Sequence, residues 1–180
     1  LLALLVSENN YNLEIYPSSE IDRINGIEDF LCKWISEQPI ALNKNIEFLK
    51  WRLFAPDKKY NIIVSKKDNK IIGYSIFSET IKEGIPCIAV LDTSFLKGYS
   101  DCTGLIYNSI SKLAKERKIE AIIIMASNYT FKKHSMKKSG FVKTPHQFSF
   151  ILKNLSKEFS NNFLKDEINW HLMWIDSDNF

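Results

Sequence analysis

The stretch SISKLAKERKIEAIIIMASN, residues 109–128, decides the fold because its hydrophobic period changes midway. Up to Lys118 the apolar residues recur at helical spacing among basic side chains, so residues 103–118 are predicted to form an amphipathic helix. Residues 121–125 are an unbroken apolar run, which is typical of a central strand covered on both faces. A helix that leads directly into such a strand indicates a crossover between two parallel strands.

Strand patterns precede this helix. Residues 60–65 and 70–78 are rich in Ile, Val, Tyr and Phe and flank a turn-like Lys-Asp-Asn, so they are predicted to form a hairpin. A further strand is predicted over residues 85–91, after a second turn. The chain therefore has three consecutive antiparallel strands before the crossover helix.

Shorter patterns predict the outer parts of the chain. Before the hairpin come a short strand around Leu13 and Ile15, a first helix over residues 21–35 capped by Ser18 or Ser19, and a second helix over residues 43–54. After residue 125 come a short basic helix over residues 129–139 closed by Gly140, a late strand over residues 148–152 and a polar helix over residues 156–167.

Composition predicts one soluble domain over residues 1–180. The chain has a formal net charge of +3, with 45% hydrophobic and 25% charged residues, which excludes long disorder and gives no support for nucleic-acid binding. The three cysteines lack the spacing of zinc sites, so no metal is expected. The opening run LLALLV is too short to cross a bilayer, so we expect no membrane contact and a cytoplasmic location.

The order of these elements resembles that of the GNAT acetyltransferase superfamily. The stretches KIIGYSIF (70–77), SISKLAKERKIEAIIIMASN (109–128) and HSMKKSGF (134–141) are similar to the matching GNAT segments. The resemblance covers a core of about 13–152, leaving 153–180 as a C-terminal extension and 1–12 as the edge of a missing upstream segment. It implies an α/β fold of the α+β kind, with a mixed, mostly antiparallel central sheet flanked by helices on both faces.

A second resemblance concerns the acceptor. The stretch FLKWRLFAPDKKYNIIV (48–64) and the ending WHLMWIDSD (170–178) are similar to a subgroup of GNAT-like proteins encoded beside bacterial surface-polysaccharide genes. The two resemblances together imply an N-acyltransferase that moves an acetyl or other acyl group from acetyl-CoA, or a similar acyl-CoA, to a small-molecule amine such as an amino sugar.

The resemblance also implies where acyl-CoA lies. It places the thioester in a cleft between strands 85–91 and 121–125, with the pyrophosphate at the N-terminus of the helix that starts near residue 103. The residues expected to contact the cofactor through backbone or side chain are Ile88, Ala89, Val90, Gly98, Thr103, Gly104 and Asn128.

Acyl transfer to an amine needs a base for the amine and an acid for the departing thiolate. GNAT enzymes often carry a tyrosine acid five residues before the Phe of the Gly-Phe pair, but that position is Met136 here. The expected catalytic residues are therefore His134, with a pKa near neutrality, Asp92 at the end of its strand, and Glu79 near the turn.

Two departures from the GNAT pattern keep an alternative open. The loop over residues 94–104 lacks the paired glycines that approach phosphates, and Asp101 is placed to cap the following helix where a pyrophosphate should lie. The alternative is a catalytically degenerate GNAT-like domain that acts as a binding or structural module. A homodimer and an upstream GNAT-like unit are both compatible with the sequence.

Three further residues have structural expectations. Arg52 is expected to clamp a carboxylate of the tail, Asp176 or Asp178. His171 is expected to pack near the tail and His146 to lie in a loop.

Overall fold

The structure, a computed structural model, describes residues 11–55, 58–145, 149, 151–155 and 157–177. Its strands are β1 (Asn12–Pro17), β2 (Ile40–Ala41), β3 (Tyr60–Lys67), β4 (Lys70–Lys82), β5 (Ile85–Phe95), β6 (Ala121–Ile124) and β7 (Trp170–His171). Its helices are α1 (Ile27–Ser36), α2 (Ile46–Leu53), α3 (Thr103–Glu116), α4 (Asn128–Lys133) and α5 (Asn161–Lys165).

The main sheet has five strands in the order β1-β3-β4-β5-β6. The first four are antiparallel to their neighbours, while β6 lies parallel to β5. Helix α3 makes the crossover between these parallel strands, as its position in the chain predicted. A separate pair, β2 and β7, is parallel and joins the C-terminal segment to the connection after α1. The predicted mixed, mostly antiparallel sheet is confirmed.

Helices cover both faces of the sheet. Since strand side chains alternate between faces, Ala89 and Leu91 of β5 pack with α1 and α2, and Ile88 and Val90 pack with α3. We call these two sides the α1 face and the α3 face. Strand β6 contributes half-buried side chains to both faces, but it is the last strand of the sheet among the described residues rather than a central one.

The predicted ends of several helices and strands are wrong. The first helix begins at Ile27, because Gly26 adopts a left-handed backbone with φ of +83° and residues 18–23 form a 3-10 turn. Ser18 does not cap it, but donates to the Leu53 carbonyl oxygen at 3.4 Å. Strand β5 extends to Phe95, beyond the predicted end at residue 91.

The C-terminal third departs most from the prediction. The predicted late strand is not observed at the described residues Ser149, Ile151 and Leu152, and Phe148 and Phe150 lie outside the described residues. Leu152, which the alternating pattern places on the buried side, is 40% exposed, so the pattern does not reflect a buried face. The predicted polar helix over residues 156–167 is limited to α5. Gly140, which follows residues 136–139, adopts the predicted left-handed conformation, with φ of +86°. Within the described ranges, no helix has the length and apolar character needed to span a bilayer.

Candidate active site

Strands β5 and β6 separate at a β-bulge. Their parallel pairing runs from Cys87 with Ala121 to Val90 with Ile124. On the other edge of β5, Phe77 pairs with Val90 and Ile76 with Asp92, which leaves Leu91 as the extra residue of a bulge. A bulge bends its strand and redirects the residues that follow. We call the space between residues 91–95 of β5 and residues 125–134 the fork.

The backbone of β5 beyond the bulge has an edge that faces the fork. The Leu96 amide donates to the Ile72 carbonyl oxygen of β4 at 2.9 Å. Because backbone groups alternate along a strand, those of Thr93 and Phe95 are directed to the fork. Both residues are buried, and the Thr93 amide donates to Asp92 Oδ1 at 3.0 Å, so a partner could use only the Thr93 carbonyl oxygen and the Phe95 backbone.

The predicted backbone partners of the cofactor lie outside this free edge. Ile88, Ala89 and Val90 pair with Glu79, Ser78 and Phe77 of β4, and with Ile122, Ile123 and Ile124 of β6. Both edges of this part of β5 are therefore used within the sheet. The free edge begins only after the bulge.

A buried ionic cluster lies on the α1 face of the fork. We call Lys44, Tyr74, Asp92, His171 and Asp176 the Lys44 cluster. The Nζ of Lys44 lies 3.0 Å from Asp92 Oδ1 and 3.2 Å from Asp176 Oδ1, and the Lys44 and Asp92 side chains are fully buried. His171 Nε2 lies 3.1 Å from Asp92 Oδ1, and the Tyr74 hydroxyl donates to Asp92 Oδ2.

The environment keeps Asp92 ionised. Burial alone would raise the pKa of Asp92, but the Lys44 charge and the hydrogen bond with His171 hold that pKa below its usual range. Burial and the Lys44 charge lower the pKa of His171, so it is neutral at pH 7. Burial raises the pKa of Asp176. A carboxylate with so low a pKa is a weak base and acts as a fixed anion.

His134 approaches the fork from the α3 face. It follows α4, its side chain is buried, and its ring lies edge-on to Phe95 with centroids 5.8 Å apart. Burial, with smaller contributions from His171 and Lys133, lowers the pKa of His134 to about 3. The expected pKa near neutrality is therefore wrong, because the ring is enclosed rather than solvent-facing. Among the described residues, its Nδ1 has no hydrogen-bond partner.

Gly73 sets the position of the Phe95 ring. These residues face each other across β4 and β5, and a Cβ on Gly73 would lie 2.2 Å from Phe95 Cδ1. Only a residue without a side chain lets the ring stay where it contacts His134.

We therefore expect Gly73→Ala to lower the free energy of unfolding by about 1–3 kcal/mol, the usual range for overpacking a filled core. Gly104→Ala is the matched control, since nothing lies within 4 Å of the Cβ position at Gly104 in α3. It should raise stability by about 0.5–1 kcal/mol, because alanine favours helix more than glycine does. Urea denaturation measures both, and equal effects of the two substitutions would refute the packing argument.

The expected phosphate loop lies at the same end of β5 as the fork. Gly98 has φ of +90°, Thr103 begins α3 and donates to the Ser100 carbonyl oxygen, and Gly104 follows in the first turn. Asp101 does not cap α3; it accepts from the Tyr11 hydroxyl at 3.4 Å and contacts the Cys102 thiol. The N-terminus of α3 therefore has no side-chain cap.

Two of the predicted site residues, Glu79 and Asn128, are each paired with a basic side chain. Glu79 pairs with Arg117 and lines a shallow surface cavity of about 250 Å³ with Cys87 and Ile119, beside the fully paired part of β5. Asn128 begins α4 and accepts from the Lys143 ammonium. The structure thus brings Asp92 and His134 to the fork and leaves Glu79 outside it.

The C-terminal segment spans the fork on the α1 face. His171 contacts Asp92 and lies 3.4 Å from the Ser94 hydroxyl on β5, while Met173 forms a β-bridge with Ala126 after β6. The ring of His171 lies edge-on to Trp34 at 4.8 Å, so its predicted packing is confirmed.

Arg52 fastens the end of this segment. Its Nη2 donates to the Ser177 carbonyl oxygen at 2.6 Å. The predicted carboxylate partner is wrong for Asp176, which instead contacts Lys44 and accepts from the Met173 amide. Asp178 and His146 lie outside the described residues.

The sequence alone does not identify Lys44 and Tyr74 as partners of Asp92. Lys44 is a single basic residue in a polar connection, and Tyr74 resembles any strand aromatic, so no local pattern marks either one. Among the residues that the structure covers, no group of three His, Cys, Asp or Glu side chains could hold a metal ion.

Comparisons with known proteins identify the fold. No model of a known protein family matches the chain, and no curated protein matches it in sequence. An aminoglycoside acetyltransferase from an uncultured soil metagenomic sample is similar in structure, with 14% identity over 81% of this chain and 99% of that chain, and a TM-score of 0.56. A predicted acetyltransferase from Clostridium acetobutylicum, solved with acetyl-CoA, has 17% identity over 78% and 96%, with a TM-score of 0.56.

A GNAT family acetyltransferase from Staphylococcus aureus has 17% identity over 79% of this chain and 99% of that chain, with a TM-score of 0.53. At such identities the likeness shows the fold alone. The chain has a GNAT-like α/β fold, as the order of its elements predicted.

Proposed function

We propose that this protein is a cytoplasmic, CoA-dependent N-acyltransferase that moves an acetyl or other acyl group from acyl-CoA to a small amine. The observation that carries the proposal is the fork, which opens at the β5 bulge beside the uncapped N-terminus of α3. An amino sugar is the acceptor class favoured by the tail resemblance, and the aminoglycoside acetyltransferase of similar fold is consistent with it.

The donor would approach from the α3 face. The dipole of the α3 N-terminus suits a pyrophosphate, with Gly98, Thr103 and Gly104 at the loop that leads into it, although the Thr103 amide donates to the Ser100 carbonyl oxygen. The Thr93 carbonyl oxygen and the Phe95 backbone would take the hydrogen bonds of the pantetheine arm, in place of Ile88, Ala89 and Val90, because the Thr93 amide already donates to Asp92 Oδ1. The thioester would then lie in the fork beside Leu91.

The two expected fork residues take different roles. In the reaction the amine nitrogen bonds to the thioester carbon, the carbon–sulfur bond breaks, and the amine loses a proton while the thiolate gains one. His134 has a neutral ring with a free Nδ1, but a pKa of about 3 makes it a weak base, so we assign it a hydrogen bond in the fork and leave proton transfer to water. Asp92 is held as an anion and would position the acceptor, while Glu79 outside the fork has no assigned role.

The binding of acetyl-CoA tests the proposal. We expect calorimetric titration to show a micromolar Kd for acetyl-CoA, with weaker binding of desulfo-CoA and of adenosine 3′,5′-bisphosphate. A ligand at 100 times its Kd should also stabilise the fold by about 2.7 kcal/mol. Absence of binding at millimolar acetyl-CoA would overturn the proposal and favour the degenerate, non-catalytic module.

A further inference from the structure

Lys44 is held in a site built for an ammonium group. Its Nζ lies 3.0 Å from Asp92 Oδ1 and 3.2 Å from Asp176 Oδ1, and 5.5 Å from the centroid of the Trp34 ring. Asp92 supplies a charge-assisted hydrogen bond, Asp176 adds a second ion pair, and the aromatic face attracts a cation within about 6 Å. We call Trp34, Asp92 and Asp176 the ammonium site.

The charges of the ammonium site require a cation. Two carboxylates face one lysine there, and the nearby His171 ring is neutral at pH 7. All of these groups are buried or nearly so, and a buried carboxylate without a cation is costly. A neutral alcohol would therefore not replace the lysine.

Lys44 reaches this site from a connection rather than from a helix or strand. It lies between β2 and α2, where its neighbours Asn43 and Asn45 are exposed, while Lys44 alone is fully buried. Its side chain therefore enters the α1 face of the fork from an extended stretch over residues 42–45.

The ammonium site lies where an acceptor amine would have to arrive. Under the proposed function, the donor enters from the α3 face and its thioester lies in the fork beside Leu91. Asp92, the next residue, lies on the α1 face, opposite the face from which the donor enters, and binds Lys44. A nucleophile that approaches the thioester from the face free of the donor would meet this carboxylate first.

We infer that Lys44 is an internal stand-in for the acceptor, and that an external primary ammonium binds to Trp34, Asp92 and Asp176 when residues 42–45 withdraw. The acceptor role rests on the proposed function, whereas the ammonium site does not. The acceptor class is a primary amine on a flexible chain, because a quaternary ammonium can neither donate to Asp92 at 3.0 Å nor bring its nitrogen within 3.2 Å of Asp176.

The first test asks whether the site accepts an external ammonium. Lys44→Ala removes three carbons and the ammonium, which n-propylammonium replaces. We expect n-propylammonium to raise the Tm of this variant by several degrees, with no such rise in the native protein. 1-Propanol and tetramethylammonium, at matched ionic strength, are the controls that lack charge or donors.

If Lys44→Ala is unfolded in the absence of added amine, a refolding measurement replaces the Tm measurement. Lys44→Ala diluted from urea should recover native fluorescence in n-propylammonium to a several-fold greater yield than in either control. If n-propylammonium gives no more Tm or refolding yield than the controls, the ammonium site is overturned.

The second test asks whether the site is the acceptor site. With acetyl-CoA and n-propylamine, Lys44→Ala should form N-propylacetamide and free CoA with at least a tenfold greater kcat/KM than the native protein, measured by mass spectrometry. The new bond is carbon–nitrogen, the broken bond is carbon–sulfur, and the amine proton balances the released thiol.

Calorimetry with acetyl-CoA on both proteins separates the failures. If neither protein binds acetyl-CoA, the proposed function fails, and the stand-in role fails with it, while the Tm test still decides the ammonium site. If acetyl-CoA binds and n-propylammonium stabilises Lys44→Ala without faster transfer, the stand-in role is overturned and Lys44 serves only to hold the C-terminal segment.

Discussion

Asp92→Ala is expected to lower the free energy of unfolding by about 3–5 kcal/mol, the usual cost of removing one partner from a buried ion pair. The substitution leaves the buried ammonium of Lys44 with Asp176 alone, and it removes the acceptor of the Tyr74 hydroxyl and the partner of His171. The free energy of unfolding of a domain is typically about 5–15 kcal/mol, so Asp92→Ala would remove much of it. Urea denaturation with fluorescence detection measures the change.

The matched control is an ion pair on the surface. Asp22 pairs with Lys50 at 2.5 Å, but their side chains are 64% and 36% exposed. Asp22→Ala should therefore cost less than about 1 kcal/mol. If Asp92→Ala cost no more than Asp22→Ala, the Lys44 cluster would not be holding the C-terminal segment to the sheet.

The parts of the fold that sequence predicted are those with a local period. The β3–β4 hairpin and the change from helix α3 to strand β6 could be predicted because the hydrophobic period within a few consecutive residues already indicates each element. The late strand is not observed because an alternating pattern forms a strand only where a partner covers it, and Leu152, expected on its buried side, is 40% exposed.

The candidate site depends on long-range pairing, which a single sequence hides. The bulge at Leu91 follows from how β4 and β5 align, and nothing in the residues around it signals an extra residue. The predicted cofactor contacts Ile88, Ala89 and Val90 all precede this bulge. The end of a strand pattern indicates Asp92 as a site residue, but its partner Lys44 is 48 residues away in a polar connection.

The resemblance to GNAT enzymes places a cleft between residues 85–91 and 121–125, whereas in the structure these strands stay paired as far as Val90 and Ile124 and separate after them. In the described residues, the α1 face is occupied by the C-terminal segment, which joins β5 through His171 and the chain after β6 through Met173. Under the proposed function, an acceptor on this face would have to displace Lys44 while Asp176 of the segment stays in place, and that requirement couples acceptor binding to the Lys44 cluster.

Acid is expected to destabilise the protein between pH 7 and pH 5 through its buried histidines. Burial lowers the pKa of His134 to about 3, against about 6.5 for an unfolded histidine, and it lowers the pKa of His171 as well. The unfolded chain therefore binds protons in this window that the folded chain does not, and stability falls as the pH drops below 6.5. For His134 the loss is about 2 kcal/mol by pH 5, and His171 adds to it in the same direction.

The carboxylates of the Lys44 cluster do not produce this loss. The lowered pKa of Asp92 costs stability only as the pH falls below the ordinary aspartate value near 3.8, and the raised pKa of Asp176 favours the folded state in acid. His134→Asn should accordingly make the pH dependence between 7 and 5 shallower by about 1 kcal/mol per pH unit on average, in urea denaturation at each pH. An unchanged slope in this variant would mean that His134 is protonated in the folded protein, and that its ring is not held neutral by burial.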